Sequence, residues 1–352
     1  MTRQSYVQKI ILGLLFLGST MSDLYAQDPR FAQFYAAPDQ LNPALNVVYD
    51  GRMRFIANYR DQWSSVLNDV PFRTVAAHWD YRMNVGKNDY LSMGFGGLHD
   101  QGGTSRLQQV KGQLNVAFMK YLGGNRKRDF YLVAGAQTGV GQHSIDWSDL
   151  WFSQQYDGLN DVVNFDAASG EIERQSGKVY PDFSAGMLWY VLGEAYSFYA
   201  GGAIYHLNQP NISVLANGND PLMRRYVAHL GGEVSINKNL SLLPATALFV
   251  QGPSVDFNVG TNFRYTSGDI NDLALRIGGW LHLTDRVNAN YSIEAFTITS
   301  MLEMKTWTLG LSYDINTSQL TAVSNARGAF EASFTYILPE KGRRQKVICP
   351  KF

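Results

Sequence analysis

Six histidines, one cysteine and a group of aspartates are the residues of this chain best suited to acid–base, nucleophilic or metal chemistry. The histidines are scattered along the chain, at His78, His99, His143, His206, His229 and His282. They form no HExxH motif, and the sequence contains no CxxC, no GxSxG and no phosphate-binding glycine loop. This absence of a catalytic constellation predicts a protein that is not an enzyme.

Two local groups leave narrower alternatives. His143 precedes Ser144, with asparagines nearby, so a Ser–His–Asn hydrolase stays open, because triad members are neighbours in space and not in sequence. Asp157, Asp161 and Asp166 lack the spacing of an EF-hand calcium loop, which favours ordinary solvated carboxylates. No metal ion or cofactor is predicted.

Short segments with alternating apolar and polar side chains recur from residue 52 onwards. In the segment from Val255 to Tyr265, valine, phenylalanine, threonine and tyrosine occupy one face, and aspartate, asparagine, glycine and arginine the other. A period of two is typical of a β-strand with one dry and one wet face. About fourteen such strands are predicted, beginning near residues 52, 71, 89, 107, 129, 180, 195, 223, 240, 254, 270, 286, 305 and 327.

The N-terminus has the pattern of a signal peptide. Arg3 and Lys9 precede an apolar run at 10–17 that is too short to span a bilayer as a helix. Leu24-Tyr25-Ala26 is a plausible cleavage site, so residues 1–26 are predicted to be removed and the mature chain to begin at Gln27. An exported chain with many half-apolar strands predicts an antiparallel transmembrane β-barrel in the bacterial outer membrane, over residues 52–338.

Composition agrees with this fold class and excludes one kind of partner. The chain has 30 basic and 30 acidic residues, whereas binding to nucleic acid phosphates requires a basic surplus. Aromatic residues make up 13% of the chain, which suits strands and the girdles at a membrane interface. The expected surroundings are outer-membrane lipid.

The lengths of the connections between predicted strands sort into two groups. Every second connection is short, as at 84–88 and 237–239, whereas the long ones, at 143–179, 207–222 and 316–326, all belong to the other group. Short periplasmic turns and long extracellular loops are typical of outer-membrane barrels. Two connections expected outside, near 252 and 285, are brief.

Polar residues on the wet face of the strands have two interpretations. They could line an aqueous pore, or they could pair with one another and with an inserted peptide. The mixture of signs favours pairing, because it forms no selectivity ring of one charge. The set comprises Arg54, Asn58, Arg60, His78, Asp80, Arg82, Asp256, Asn258, Asn262 and Arg264.

Three segments lie outside the strand pattern. The loop at 143–179 is rich in aromatic residues, which argues against disorder and favours a constriction or a partner-binding surface. Residues 27–51 form a predicted periplasmic cap or inward plug. Residues 339–352 form a basic tail, predicted to be periplasmic, that holds the chain's one cysteine, Cys349.

An ordered set of short motifs along the mature chain resembles the PorP/SprF family of Bacteroidetes outer-membrane proteins, from the type IX secretion and gliding-motility system. No single motif is decisive, but their order covers nearly the whole mature chain. They are QDPRFAQFY at 27–35, LNPA at 41–44, YRDQW at 59–63, DYR at 80–82, DQGG at 100–103, IDW at 145–147, PDFSAG at 181–186, HLNQP at 206–210, SYDIN at 312–316, GAFE at 328–331 and CPKF at 349–352.

The resemblance implies a non-enzymatic barrel with one of two roles. SprF-like members help to export and hold a large surface adhesin through its type B C-terminal domain. PorP-like members are core components connected to periplasmic ring and peptidoglycan-binding proteins. The SprF-like role is favoured here because such copies are numerous, and a diffusion porin is the competing class.

Two sets of partner-binding residues are expected. The external loop offers aromatic anchors for the secreted adhesin or its C-terminal domain, since buried tryptophan and tyrosine commonly dominate interfaces; these are Trp147, Trp151, Phe152 and Tyr156. A periplasmic docking surface is expected to contain Asp28, Phe31, Asn42, Pro43, Cys349 and Phe352.

Overall fold

Fourteen antiparallel strands close into one barrel in the computed structural model, in which consecutive barrel strands are neighbours and the last pairs with the first. The structure describes residues 27–67, 70–103, 106–147, 150–170, 177–215, 217–267, 273–285, 291–318 and 321–340. The predicted signal peptide and the tail from residue 341, with Cys349 and Phe352, lie outside these ranges. The predicted barrel of about fourteen strands is confirmed.

The first half of the chain supplies β1 (Met53–Gln62), β2 (Phe72–Asn84), β3 (Tyr90–Gly102), β4 (Leu107–Asn125) and β5 (Arg128–Ser144). A two-stranded hairpin, β6 (Tyr156–Asp157) and β7 (Val162–Val163), stands apart from the barrel sheet. The barrel continues with β8 (Lys178–Gly193), β9 (Tyr196–Tyr205), β10 (Arg225–Ser235), β11 (Leu240–Gln251), β12 (Ser254–Thr266), β13 (Ala274–Asp285), β14 (Tyr291–Glu303), β15 (Trp307–Asn316) and β16 (Arg327–Leu338).

The alternation of side chains sets the two faces of the wall. On β1, Phe55 and Tyr59 are exposed on the outside, whereas Arg54 and Asn58 are buried inside. The outer wall is therefore apolar where lipid would cover it, and the inner wall is polar. All ten polar residues predicted to face inward are buried or half-buried.

The connections sort to opposite ends, as predicted. The short turns, for example at 126–127 and 236–239, lie at the end that holds the start of β1 and the end of β16. The long connections at 145–177 and 206–224 lie at the other end, which is the extracellular one. In the described part of the chain, no helix is long and apolar enough to cross a membrane.

Candidate functional site

Residues 27–51, called the N-terminal segment below, lie within the barrel. The segment contains three short helical turns, at Phe34–Ala36, Pro38–Leu41 and Pro43–Val47. It begins near the outer end, where Asp28 meets residues at the start of β10 and the end of β11, and it reaches the inner end at Tyr49, beside Arg52. The segment thus passes along the lumen from the extracellular mouth to the periplasmic rim.

The middle of the segment is fixed by Asn42. Its Oδ1 accepts a 2.9 Å hydrogen bond from the amide of Ala44, which caps the helical turn begun by Pro43. Its Nδ2 donates to the carbonyls of Met187 at 2.9 Å and Gly202 at 3.2 Å, and lies 3.0 Å from Nε2 of His229. One side chain therefore ties the segment to three neighbouring strands, β8, β9 and β10.

Glycines on the inner wall make room for this turn. A Cβ at Gly135 would lie 2.4 Å from the backbone of Pro43 and Ala44, and a Cβ at Gly186 would lie 2.0 Å from Oδ1 of Asn42. Only glycine permits this approach of backbone to backbone.

At the outer end, Asp28 is the centre of a buried charged network. One carboxylate oxygen, Oδ2, lies 2.7 Å from Nε2 of His206 and 3.2 Å from Nη1 of Arg225. The other, Oδ1, lies 3.4 Å from Nζ of Lys111, and His206 also contacts Asp182 at 2.9 Å. Burial opposes ionisation of Asp28, but the attraction of His206, Lys111 and Arg225 outweighs it and holds the pKa of the carboxyl well below its usual range.

The opposite wall holds the same part of the segment through Glu331. Its two carboxylate oxygens accept the amides of Ala32 at 2.6 Å and Gln33 at 2.9 Å. The guanidinium of Arg60 bridges Glu331 and Asp314. Because β16 and β10 are on different sides of the barrel, these contacts and those of Asp28 fix the segment across the lumen.

Nearer the inner end, a second charged group surrounds the segment. Arg54 donates to Asp80 at 2.7 and 2.9 Å and to the carbonyl of Leu45 at 3.1 Å. Asp80 also lies 2.6 Å from His78, which lies 3.8 Å from Asp39 of the segment. The inward polar residues in this region thus contact one another and the N-terminal segment.

Apolar side chains of the segment pack against inward aromatic and aliphatic residues. Phe34 and Tyr35 each lie 5.2 Å, ring centre to ring centre, from the buried Trp280 of β13. The other buried contributors from the segment are Leu41, Ala44, Leu45, Val47 and Val48, and those from the wall include Met119, Val133, Leu188, Tyr190 and Phe249. The main apolar core of the protein is therefore inside the barrel.

This placement corrects part of the predicted periplasmic docking surface. Asp28, Phe31, Asn42 and Pro43 are buried within the barrel, and Asp28 and Phe31 lie towards its extracellular end. Buried side chains that are already bonded to the wall offer no surface to a periplasmic protein. Cys349 and Phe352 lie outside the described residues.

The predicted aromatic anchors of the external loop fall in and around the β6–β7 hairpin. Trp147 stacks on Phe152 at 6.4 Å, and Trp151 lies 6.1 Å from Tyr156. Gln155 organises the turn before the hairpin by accepting the amide of Phe152 and donating to the carbonyls of Phe165 and Ala167. The four aromatic side chains thus form two ring pairs in a hydrogen-bonded loop.

The hairpin and the residues that flank it expose apolar side chains. Leu159, at its tip, is 97% exposed, Phe165 is 60% exposed and Trp151 is 53% exposed. Asp157 accepts hydrogen bonds from Asn160 and from the amide of Leu159, which together hold its pKa below the usual range. The loop outside the membrane therefore presents several exposed apolar side chains.

His143, the histidine of the possible hydrolase group, contacts Tyr180 of β8. His143 is bonded through Nδ1 to the hydroxyl of Tyr180 at 3.0 Å, and its ring is stacked on that tyrosine. Within the described ranges, no group of three or more histidine, cysteine, aspartate or glutamate side chains could hold a metal ion.

Sequence reasoning missed several residues that hold the N-terminal segment. Asp39, Asp182, His206 and Glu331 were not among the predicted site residues. Glu331 lies between outward Phe330 and Ala332, so the strand alternation could have predicted that it faces inward. The sequence could not have predicted which residues it contacts.

Solved structures of similar shape are outer-membrane barrels with low sequence identity. The Pseudomonas putida toluene transporter TodX is 12% identical, with 90% of this chain and 99% of that chain covered and a TM-score of 0.47. The Ralstonia pickettii toluene transporter TbuX is 15% identical, with 84% and 91% covered and a TM-score of 0.42. CdiB from Acinetobacter baumannii is 7% identical, with 81% and 60% covered and a TM-score of 0.46. No curated protein matches the chain.

The family comparison is more specific than the structural one. The family described as type IX secretion system membrane protein PorP/SprF matches residues 23–336, which include the whole N-terminal segment and nearly all of the barrel. Both family and fold are those of a secretion membrane protein and not of an enzyme class. This chain belongs to the PorP/SprF family of type IX secretion system membrane proteins and is an outer-membrane β-barrel.

Proposed function

We propose that this barrel helps to export a large surface adhesin and anchors it at the cell surface, as the SprF-like members of the family are expected to do. In this role the barrel is a fixed support in the outer membrane and not a conduit. The adhesin docks on the extracellular loops through its C-terminal domain.

The observation that carries the proposal is the position of the N-terminal segment. Its apolar side chains are buried among inward residues of the wall, and its polar groups are bonded to strands on different sides of the barrel. A diffusion porin needs a water-filled lumen. A lumen occupied by a bonded peptide supports the anchor over the porin.

The external loop supplies the docking surface in this proposal. Four large side chains in and beside the β6–β7 hairpin are exposed, and neither lipid nor the apolar core covers them. They are Trp151, Tyr156, Leu159 and Phe165. Tryptophan and tyrosine are the residue types that most often dominate binding energy at an interface. The loop therefore provides candidate anchors for a folded domain of the adhesin.

Conductance and cargo retention test the two parts of the proposal. The purified full-length barrel is expected to be silent in planar bilayers, and steady single-channel currents would favour the diffusion porin. Replacing residues 150–170 by a short Gly-Ser linker is expected to leave assembly of the barrel intact and to release the adhesin from the cell surface. Undiminished retention would contradict the docking role of the loop.

Partner recovery separates the SprF-like from the PorP-like role. Isolation of the chromosomally tagged protein in mild detergent is expected to recover one large surface protein. Recovery of periplasmic ring and peptidoglycan-binding components without such cargo would assign the core secretion role. After the correction above, periplasmic docking is proposed for the tail at 339–352 alone, and loss of those periplasmic partners on truncation after Glu340 would support it.

A further inference from the structure

A cavity of about 420 Å³ lies at the extracellular end of the lumen, above the first residues of the N-terminal segment. Its walls come from the outer ends of nine of the fourteen barrel strands, β12 to β16 and β1 to β4, and from the β1–β2 connection. The residues used below are Arg30, Arg60, Asp100, Asn258, Glu294 and Asp314. This volume is within the usual range for pockets that bind small ligands.

Carboxylates outnumber cations around this cavity. Arg30 is shared between Asp256 and Glu294, the second contact being 3.7 Å long. Arg60 is shared in the same way between Asp314, at 3.0 Å, and Glu331. Each arginine therefore meets two acidic side chains, which leaves the cavity with an excess of negative charge.

Asp100 adds a carboxylate that His99 and Arg60 influence electrostatically without forming an ion pair with it. Its Oδ1 accepts a 2.5 Å hydrogen bond from the hydroxyl of Thr74, and no ion pair joins Asp100 to another residue in the described part of the chain. The side chain is half-buried, so water screens it only in part. A half-buried carboxylate of this kind favours a positively charged ligand.

Asn258 is an independent indication of a ligand. Its side chain is only 4% exposed and lines the cavity, yet Oδ1 has no hydrogen-bond partner among the described residues. A buried carbonyl without a donor is costly, because folding removes the water that would otherwise bond to it. An acceptor in this position fits a ligand that carries N–H groups.

The shape of the acceptor set favours an organic cation over a metal ion. Among the described residues, no three or more histidine, cysteine, aspartate or glutamate side chains are placed to hold a metal ion, and this includes the acidic residues of the cavity. A guanidinium presents five N–H donors in one plane and can bond to several separated acceptors at once. Trp63 and Phe72, whose rings meet edge to face at 5.7 Å, add an aromatic wall, and such walls attract guanidinium groups.

We propose that this outer cavity binds an arginine side chain that the docked surface protein inserts into the barrel mouth. The proposal rests on the function proposed above. It adds the chemistry of the contact, in which one basic side chain of the partner enters the acidic cavity beneath the loops. Loop aromatics then supply apolar contact, and the cavity supplies specificity for charge.

Binding of a model peptide tests the proposal without the adhesin. The purified full-length barrel in detergent is titrated by calorimetry with acetyl-Gly-Arg-Gly-amide and with the same peptide carrying citrulline, which is close in shape but uncharged. The arginine peptide is expected to bind at least about tenfold more tightly, as loss of a charge-assisted hydrogen bond would predict. Equal binding of the two peptides, or no binding of either, would overturn the proposal.

Two variants locate the binding site. Asp100→Asn keeps the shape of the side chain and is expected to weaken arginine-peptide binding about tenfold, whereas Asp157→Asn in the exposed loop removes a carboxylate outside the cavity and is expected to have no effect. Asn258→Ala serves as a second cavity variant if Asp100→Asn does not fold, and it too is expected to weaken binding. Unchanged affinity in the folded cavity variant would overturn the assignment. Because no cargo is present, this result is independent of the retention experiment.

Discussion

Asp28 and His206 are separated by 178 residues, yet Oδ2 of the one lies 2.7 Å from Nε2 of the other inside the barrel. His206 follows β9 at the extracellular end, and Asp28 is the second residue of the N-terminal segment. This contact holds the beginning of the N-terminal segment at the outer mouth. The same segment then has to cross the whole lumen to reach β1.

Substitution of Asp28 by asparagine tests this attachment. The change leaves Arg225 without this carboxylate, and it leaves Lys111 and His206 with Asp182 alone. Breaking a buried charged pair commonly costs about 3 kcal/mol or more. We expect a lower free energy of unfolding in urea, measured on the barrel in lipid vesicles. Asp157→Asn, in the exposed loop, is the matched control and should leave the midpoint of the urea unfolding transition unchanged.

The same carboxylate predicts a dependence of stability on pH. The pKa of Asp28 is held well below its usual range in the folded protein, so its stabilising effect is fully present above about pH 4, the unfolded value, and is lost as the pH falls further towards the folded value. The difference in unfolding free energy between wild type and Asp28→Asn should therefore shrink on acidification. If the difference in unfolding free energy between wild type and Asp28→Asn stayed constant from neutral pH to well below about pH 4, this explanation would be contradicted.

Introducing a methyl group at Gly135 should disturb the N-terminal segment. The new Cβ would lie 2.4 Å from backbone atoms of Pro43 and Ala44, which cannot move aside as a side chain can. Overpacking of this kind typically costs about 1–3 kcal/mol. Gly112→Ala, where no atom lies within 4 Å of the added Cβ, is the control. We expect a lower thermal transition in Gly135→Ala only, together with channel currents in planar bilayers if the segment is displaced.

Asn42→Ala removes the central attachment of the segment to the wall. It deletes the cap on Ala44 and leaves the carbonyls of Met187 and Gly202 without this donor. Loss of a cap typically costs about 1 kcal/mol, and the unpaired buried groups add to that cost. Hydrogen exchange of residues 38–48 measured by mass spectrometry should become faster, while the strands stay protected. Unchanged protection of these residues would show that Asn42 does not hold the segment.

The exposed hairpin should matter for the partner and not for the barrel. Leu159→Asp and Trp151→Ala change side chains that are mostly exposed, so the heat-induced shift of the barrel on SDS gels should be the same as for wild type. Retention of the surface protein should fall, because interface anchors typically contribute about 2 kcal/mol or more each. Val179→Ala, on the outer face of β8, alters an apolar residue outside the hairpin that is 64% exposed, and it should leave retention unchanged.

Most of the strand pattern could be predicted because it is local. Thirteen of the fourteen predicted starts lie within four residues of the observed ones. The remaining one, near 286, falls in 286–290, outside the described residues that precede β14. The β6–β7 hairpin was not predicted, since two residues a strand carry no periodicity that can be detected. Asn42 and Pro43, which were expected at a periplasmic docking surface, lie in a buried turn, and nothing in their local sequence distinguishes a buried turn from a surface one.

The sequence alone was enough to predict an outer-membrane barrel, the face of each strand that meets lipid, and the connections that are extracellular. Those properties depend on the alternation of neighbouring side chains and on connection lengths, which are both local. What fills the barrel is visible only in the three-dimensional structure. The bonds of Asp28 to His206, of Asn42 to His229 and of the Gln33 amide to Glu331 join residues 178, 187 and 298 positions apart. Such contacts join residues that are distant in the chain and adjacent only in the closed barrel, and no periodicity in the chain records them.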